Sequence, residues 1–331
     1  MANQYNYVIF GSNQDLYKIA YNDVIERVNV RYVATAYDYK NSILKFIFKL
    51  HMNIRINKYI KLPFKSVWNS CYYKNDFRNC NKICFIFFHE WAVYERFGFV
   101  KYLRKKYPHS KIVCFFQDMV HLENNININH IKDVFDLVIS FDHIDAKKYD
   151  IFYHPTVYSN HFFDRVDNTQ RSDVYFLGSA KNRLDKIGLI YQYLESTGLK
   201  CDFYVTQVDE KDQSNYQGIH FISQMSYVEN LRHLVNTECI LEVLQDNSSG
   251  YTMRTWEAIM YNKKLLTNNI ELKDEPFYNP SNILVFDNIE GIKTKQVFFN
   301  DISRKTDHKY KYEISPAKLL EFINKKLEKS N

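Results

Sequence analysis

The chain of 331 residues is predicted to fold as α/β, with two domains in tandem, each a parallel sheet covered by helices. Three observations predict this. Apolar runs of strand length alternate with helical patterns, the alternation is completed twice, and a polar stretch without periodicity separates the two rounds. At 46% hydrophobic residues, a chain of this length can fill two cores of ordinary size.

The first round supplies the strand candidates YVIFG (7–11), VNVRYVATA (28–36), KICFIFFH (82–89), KIVCFFQD (111–118), DLVISFD (136–142) and DIFYHPT (150–156). The second supplies VYFLG (174–178), CDFYVT (201–206), IHFIS (219–223), CILEVL (239–244), KKLLTN (263–268) and NILVFD (282–287). Between them VYSNHFFDRVDNTQRS (157–172) is polar and aperiodic, so the expected domains are 1–160 and 173–331. The closing segment offers Ser315 as N-cap, Pro316 at the first helical position, and Leu319, Leu320, Ile323 and Leu327 at helical spacing. Such a stripe must pack on something, and both the first domain and its own domain are compatible with it.

No apolar stretch approaches the roughly 18 residues of a membrane span, and MANQYNYVIFGSNQ lacks a basic start and a small-residue cleavage site. A cytoplasmic protein is expected. The six cysteines (Cys71, Cys80, Cys84, Cys114, Cys201, Cys239) form no CxxC pair, and Cys84, Cys114 and Cys239 sit within strand-like apolar runs, as reduced core thiols do. With only 8 glycines against 27 tyrosines and 25 phenylalanines, a glycine in a special place is more informative than usual.

The segment CILEVLQDNSSGYTMRTWEAIMYNKKLLTNN (239–269) reads as strand, polar turn, helix, strand. A helix start beside a cationic side chain suits a phosphate group, here Gly250, Tyr251 and Thr252 in the turn with Arg254 and Glu257 on the helix. The i, i+3 spacing of Arg254 and Glu257 also fits a solvated surface pair. Earlier in the second round, VYFLGSAKNR places Gly178 and Ser179 at a strand's carboxyl end, where open α/β sheets bind ligands, with Lys181 and Arg183 beside them. Tyr227, in ISQMSYVEN, is a stacking candidate for a base, or an ordinary helix start. In the first round His89 and Glu90, Asp118, and Asp142 with His143 stand at predicted strand ends, where each can cap a loop or accept a proton.

Two Rossmann-like domains whose second carries Gly250, Thr252, Arg254, Glu257, Lys263, Lys264, Leu265, Thr267 and Asn268 in this order resemble the GT-B glycosyltransferases. The pattern is similar to that of bacterial enzymes of capsule, lipopolysaccharide and exopolysaccharide synthesis, and it covers about 30 residues strongly. The resemblance implies two domains facing a central cleft and a nucleotide-sugar donor, UDP favoured because most sugars of such pathways are carried on it. It makes Glu257 the ribose ligand, brings the amides of Gly250, Tyr251 and Thr252 to the diphosphate, and has Arg254 add a contact of about 1.5–3 kcal/mol. An inverting enzyme of this kind needs a base from the first domain, in the order Glu90, Asp118, His89. Many retaining members carry a second glutamate eight positions before the ribose-binding one. Ser249 occupies that position here, and Glu242, seven residues further upstream, either substitutes for it or is an edge residue.

No cofactor and no essential metal are expected, because the chain has no Asp-x-Asp and no His-x-x-x-His spacing. Between Asp38 and Asp76 there is no acidic residue, yet Lys40, Lys45, Lys49, Arg55, Lys58, Lys61, Lys65 and Lys74 alternate with Phe46, Phe48, Tyr59, Phe64 and Trp68. This segment suits an anionic membrane face carrying a lipid-linked glycan acceptor, although SILKFIFKLHM also fits a core helix with snorkelling lysines. The formal charge of +6 admits a nucleic-acid binder, but no nucleic-acid-binding motif accompanies it. A nucleotide-sugar epimerase, a polyol-phosphate transferase and a non-catalytic binding partner in polysaccharide assembly share the expected fold.

Overall fold

Each of the twelve expected runs contains a strand, and the strands form two separate parallel sheets. The computed structural model describes residues 5–34, 41–60, 62–73, 77, 82–92, 98–120, 127–159, 171–245, 251–304 and 306–329. The first sheet holds β1 (Asn6–Phe10), β2 (Val30–Val33), β3 (Ile83–Phe88), β4 (Lys111–Phe116), β5 (Leu137–Ser140) and β6 (Phe152–Tyr153), in the order β2-β1-β3-β4-β5-β6. The second holds β7 (Ser172–Ser179), β8 (Cys201–Thr206), β9 (His220–Phe221), β10 (Thr237–Glu242), β11 (Lys264–Thr267) and β12 (Ile283–Val285), in the order β12-β11-β10-β7-β8-β9. Both are Rossmann-like.

Central strands are buried on both faces, which is why β3 reads ICFIFF without alternation and buries every residue. Edge strands are shorter than their sequences suggested. The run 28–36 gives four residues of β2, because β2 pairs only with β1, in the register Tyr7–Val30 to Phe10–Val33. The abundant aromatic residues fill the first core, where Phe10 lies 4.7 Å from Phe87 and 4.9 Å from Trp91 between ring centroids. Cys84, Cys114 and Cys239 are buried free thiols, and burial pushes all three well above the usual thiol range.

The chain divides into two compact units, Met1–Val157 with Pro316–Asn331, and Tyr158–Ser315. The closing helix Pro316–Lys329 buries Leu319, Leu320, Ile323 and Leu327, the stripe seen in the sequence. Its partners are in the first unit: the Tyr7 hydroxyl donates to the Leu320 carbonyl at 3.4 Å, and Phe322 packs on His154 at 5.2 Å. The span 173–331 is corrected accordingly, since an apolar stripe follows the surface it covers and not its neighbours in sequence.

In each sheet the strand order reverses once, between β1 and β3 in the first and between β7 and β10 in the second. At such switch points the connections leave in opposite directions, and a crevice opens at the carboxyl ends of the two strands.

Candidate functional site

The switch point of the second sheet gathers most of the residues singled out in that domain. β7 ends in Gly178-Ser179, Lys181 turns the chain at φ +46°, and the helix Leu184–Ser196 follows. Arg183 folds back over this turn, donating from Nε to the Ser179 carbonyl at 3.1 Å and from Nη1 to the Val243 carbonyl just beyond β10. A Cβ at 178 would lie 2.9 Å from Phe176 Cζ and 3.0 Å from Arg183 Nη2, so a larger residue there forces these side chains to shift. Gly178→Ala is therefore expected to lower stability by about 1–3 kcal/mol, as overpacking does, measured by urea denaturation.

Across the switch point, Gly250 and Ser249 lie outside the described residues, and the chain continues into the helix Met253–Met260. Thr252 caps this helix, its Oγ1 accepting from the Arg254 amide at 3.1 Å and donating to Glu242 Oε1 at 2.5 Å. Thr255 also donates to Oε1, at 3.1 Å, and Thr267 of β11 donates to Oε2 at 2.5 Å. Glu242 is thus no edge residue: it lies buried in a central strand and binds the start of the helix to β10 and β11. Burial raises its pKa, and the three hydroxyl donors act in the opposite direction.

The helix presents Arg254 to the same end of β7. Its Nη2 donates to the Leu177 carbonyl at 3.1 Å, and its Nη1 donates to Glu257 Oε2 at 2.5 Å and to Asn230 Oδ1 at 3.0 Å. Glu257 is fully buried, so this is no solvated surface pair. Its other oxygen accepts from the Tyr227 hydroxyl at 2.7 Å and from Asn230 Nδ2 at 3.4 Å. Having given its proton to Glu257, the Tyr227 hydroxyl accepts from Tyr158, 2.5 Å away. In this arrangement both Glu257 oxygens are engaged by the protein, and Tyr227 is held by its hydroxyl.

Two guanidinium groups consequently grip carbonyls at one strand end, Arg254 on Leu177 and Arg183 on Ser179. Burial disfavours the Arg254 cation, but Glu257 and the neighbouring tyrosines more than compensate, and its pKa is raised. The Arg183 pKa is lowered, first by burial and further by the nearby Arg254 charge, with Glu242 opposing. Two guanidiniums held close together beside a helix N-terminus, Arg254 already paired with Glu257, favour an anion. Arg254 keeps 18% of its side chain exposed.

The remaining motif residues are fasteners. Lys263 Nζ donates to the carbonyls of Val235 and Thr237, Lys264 Nζ donates to Phe298, and Asn268 Oδ1 accepts from the Leu244 amide. Tyr251 hydrogen-bonds Glu275 and packs on Trp256 at 5.5 Å. Ser179 accepts from Thr206 at 3.2 Å, and Lys181 is exposed. Sequence reasoning missed Asn230, Tyr158 and Thr255, and did not tie Thr252 and Thr267 to Glu242. The one available signal was a carboxylate inside the apolar run CILEVL, since burying it demands partners.

In the first unit, β3 is followed by His89 and Glu90, β4 is followed by Asp118, and the switch point lies between β1 and β3. His89 is buried against Phe116 and its Nδ1 accepts from the Gln117 amide at 3.4 Å, which leaves the ring proton on Nε2. Glu90 and Asp118 are exposed and flank Tyr17, whose pKa is raised to about 12, first by burial and then by these two carboxylates. Asp118 also accepts from the Met119 amide at 2.8 Å. Asp142 caps the helix His143–Tyr149 through the Asp145 amide at 2.7 Å.

No family model and no curated protein matches this chain. Solved structures with similar shape include a glycosyltransferase from Rickettsia africae, at 12% identity and TM-score 0.48 over 99% of this chain and 100% of that one. An alpha-glucosyltransferase in complex with UDP and a 13-mer DNA aligns at 11% identity and TM-score 0.49, covering 98% of this chain and 94% of that one. MnaA of S. aureus with UDP aligns at 11% identity and TM-score 0.47, covering 97% and 94%. Identities this low transfer no function, so a functional assignment has to stand on the residues themselves.

Proposed function

We propose that this protein is a glycosyltransferase that moves a sugar from a nucleoside diphosphate donor, with UDP favoured, to a glycan or lipid-linked glycan in bacterial surface polysaccharide synthesis. The observation that carries the proposal is the pair of guanidiniums, Arg183 and Arg254, held on one strand end at the β7/β10 switch point beside a capped helix N-terminus. When the bond between the anomeric carbon and the diphosphate breaks, negative charge grows on the departing phosphate. Preorganised cations stabilise that charge without reorganising, in place of a divalent metal. Lys181 and the backbone amides of Tyr251 and Thr252 extend this diphosphate site, with Gly178 and Ser179 forming its floor.

Glu257 holds Arg254 in place, and it becomes available to ribose hydroxyls when Tyr227 turns from its carboxylate toward the base. In the first unit the acceptor hydroxyl gives its proton to Glu90, with Asp118 as the next candidate. His89 is the weakest of the three, because its Nδ1 lone pair is already engaged.

The test is release of nucleoside diphosphate from a panel of nucleotide sugars in the presence of glycan acceptors. Glu90→Gln is expected to lower kcat about 10²–10⁴-fold, the usual contribution of a general base, with donor binding unchanged. Full activity in both Glu90→Gln and Asp118→Asn would remove the assignment of the base to these carboxylates. Conversion of a free nucleotide sugar to its epimer, without an acceptor, would replace the transferase reading.

A further inference from the structure

We infer that the helix Ser42–His51, together with Arg55 and Phe64, forms a membrane-docking surface for an anionic bilayer. The helix Ser42–His51 is fastened to the protein on one side only, by Phe48, which is fully buried with its ring 5.1 Å from Trp68. His51 locks this orientation, its Nδ1 accepting from Trp68 Nε1 at 2.9 Å and its Nε2 meeting the Pro63 carbonyl at 2.7 Å. The helix therefore cannot roll to hide its other face. That face carries Ile43, Phe46, Ile47 and Leu50 at i, i+3, i+4, i+7, and all four point to solvent, Ile43 at 70% and Phe46 at 66% exposure.

The next loop adds Phe64, 78% exposed with φ +60°. A bulky side chain held in the left-handed region is strained. A lone exposed apolar residue is ordinary, but a contiguous face of this kind marks an interaction surface.

Charge selects the occupant. Lys45, Lys49 and Arg55 are exposed around the apolar face, and the sequence has no acidic residue between Asp38 and Asp76. A two-fold contact with a second copy would oppose these cations to themselves. Anionic headgroups neutralise them while the apolar face enters the acyl boundary, as an interfacial amphipathic helix does. Among the described residues no helix is long and apolar enough to cross a membrane, so the contact is peripheral. This surface is independent of the nucleotide site, and either assignment can fail without the other.

The experiment is co-sedimentation of the whole chain with phosphatidylcholine vesicles, with and without phosphatidylglycerol, at low and high salt. The wild type is expected to bind the anionic vesicles and to be released by salt. Phe46→Asp is expected to bind about tenfold or more weakly, since it removes one buried aromatic side chain from the contact. Lys45→Gln with Lys49→Gln is expected to bind about thirtyfold more weakly. Unchanged melting temperatures confirm that the altered positions are surface positions. Absence of wild-type binding, binding unaffected by both variants, or a dimer in solution that Phe46→Asp dissolves would each overturn the proposal.

Discussion

Arg254→Ala is expected to lower stability by about 3–5 kcal/mol and to abolish nucleoside diphosphate binding. Glu257 is fully buried, and its carboxylate keeps two neutral donors but loses its cation when Arg254 is removed. The full penalty of an uncompensated buried charge then falls on the folded state. Arg254→Ala combined with Glu257→Gln is expected to recover much of the stability and none of the binding. Urea denaturation and nucleotide titration on the three proteins separate the two roles. A single variant as stable as the wild type would mean that the carboxylate is reached by water or by another cation.

Glu242 gives the second large effect. Glu242→Ala leaves the hydroxyls of Thr252, Thr255 and Thr267 without their acceptor, a loss of about 2–4 kcal/mol at about 1 kcal/mol for each bond. Glu242→Gln keeps an acceptor oxygen and is expected to fold well. Because the folded-state pKa of Glu242 is raised, chiefly by burial, the folded protein holds this proton to higher pH than the unfolded chain does. Its contribution to stability is therefore complete below the ordinary carboxylate range and is lost as pH rises through the folded value. The glutamine variant has no such dependence, so its stability relative to the wild type should increase as pH rises above the ordinary carboxylate range. A constant difference over that range would show that the buried carboxyl does not titrate there.

How far the sequence could be read follows from the range of the interactions. The strands were legible because parallel strands covered on both faces become continuous apolar runs, but alternation with helices predicts a parallel sheet without the order of its strands around the switch point. The ends of edge strands were not legible, since β2 stops where β1 stops offering partners and not where its own apolar residues stop. Motif residues could be placed near strand ends, but their contacts depended on partners far away in the chain. Arg254 bonds a carbonyl 77 residues away, and Tyr158 meets Tyr227 across 69. Asn230, which ties Arg254, Glu257 and Tyr175 together, looks in sequence like any polar residue on a helix. The stripe of the closing helix was visible and its destination was not. Likewise, whether SILKFIFKLHM faces the core or solvent was decided by Phe48 and His51, whose partners Trp68 and Pro63 lie well beyond the helix.

The central claim is that Arg183 and Arg254 together bind a diphosphate. The most direct measurement is calorimetric titration of wild type and Arg183→Ala with UDP, UMP and the other nucleoside diphosphates. Arg183 has no bond to Glu257, so its loss leaves the buried pair intact and tests binding apart from folding. The account predicts that one nucleoside diphosphate binds the wild type, that its monophosphate binds at least about tenfold more weakly, and that Arg183→Ala removes that preference, since one charge-assisted contact amounts to about 1.5–3 kcal/mol. Equal affinity for mono- and diphosphate, or a diphosphate preference that survives in Arg183→Ala, would contradict it.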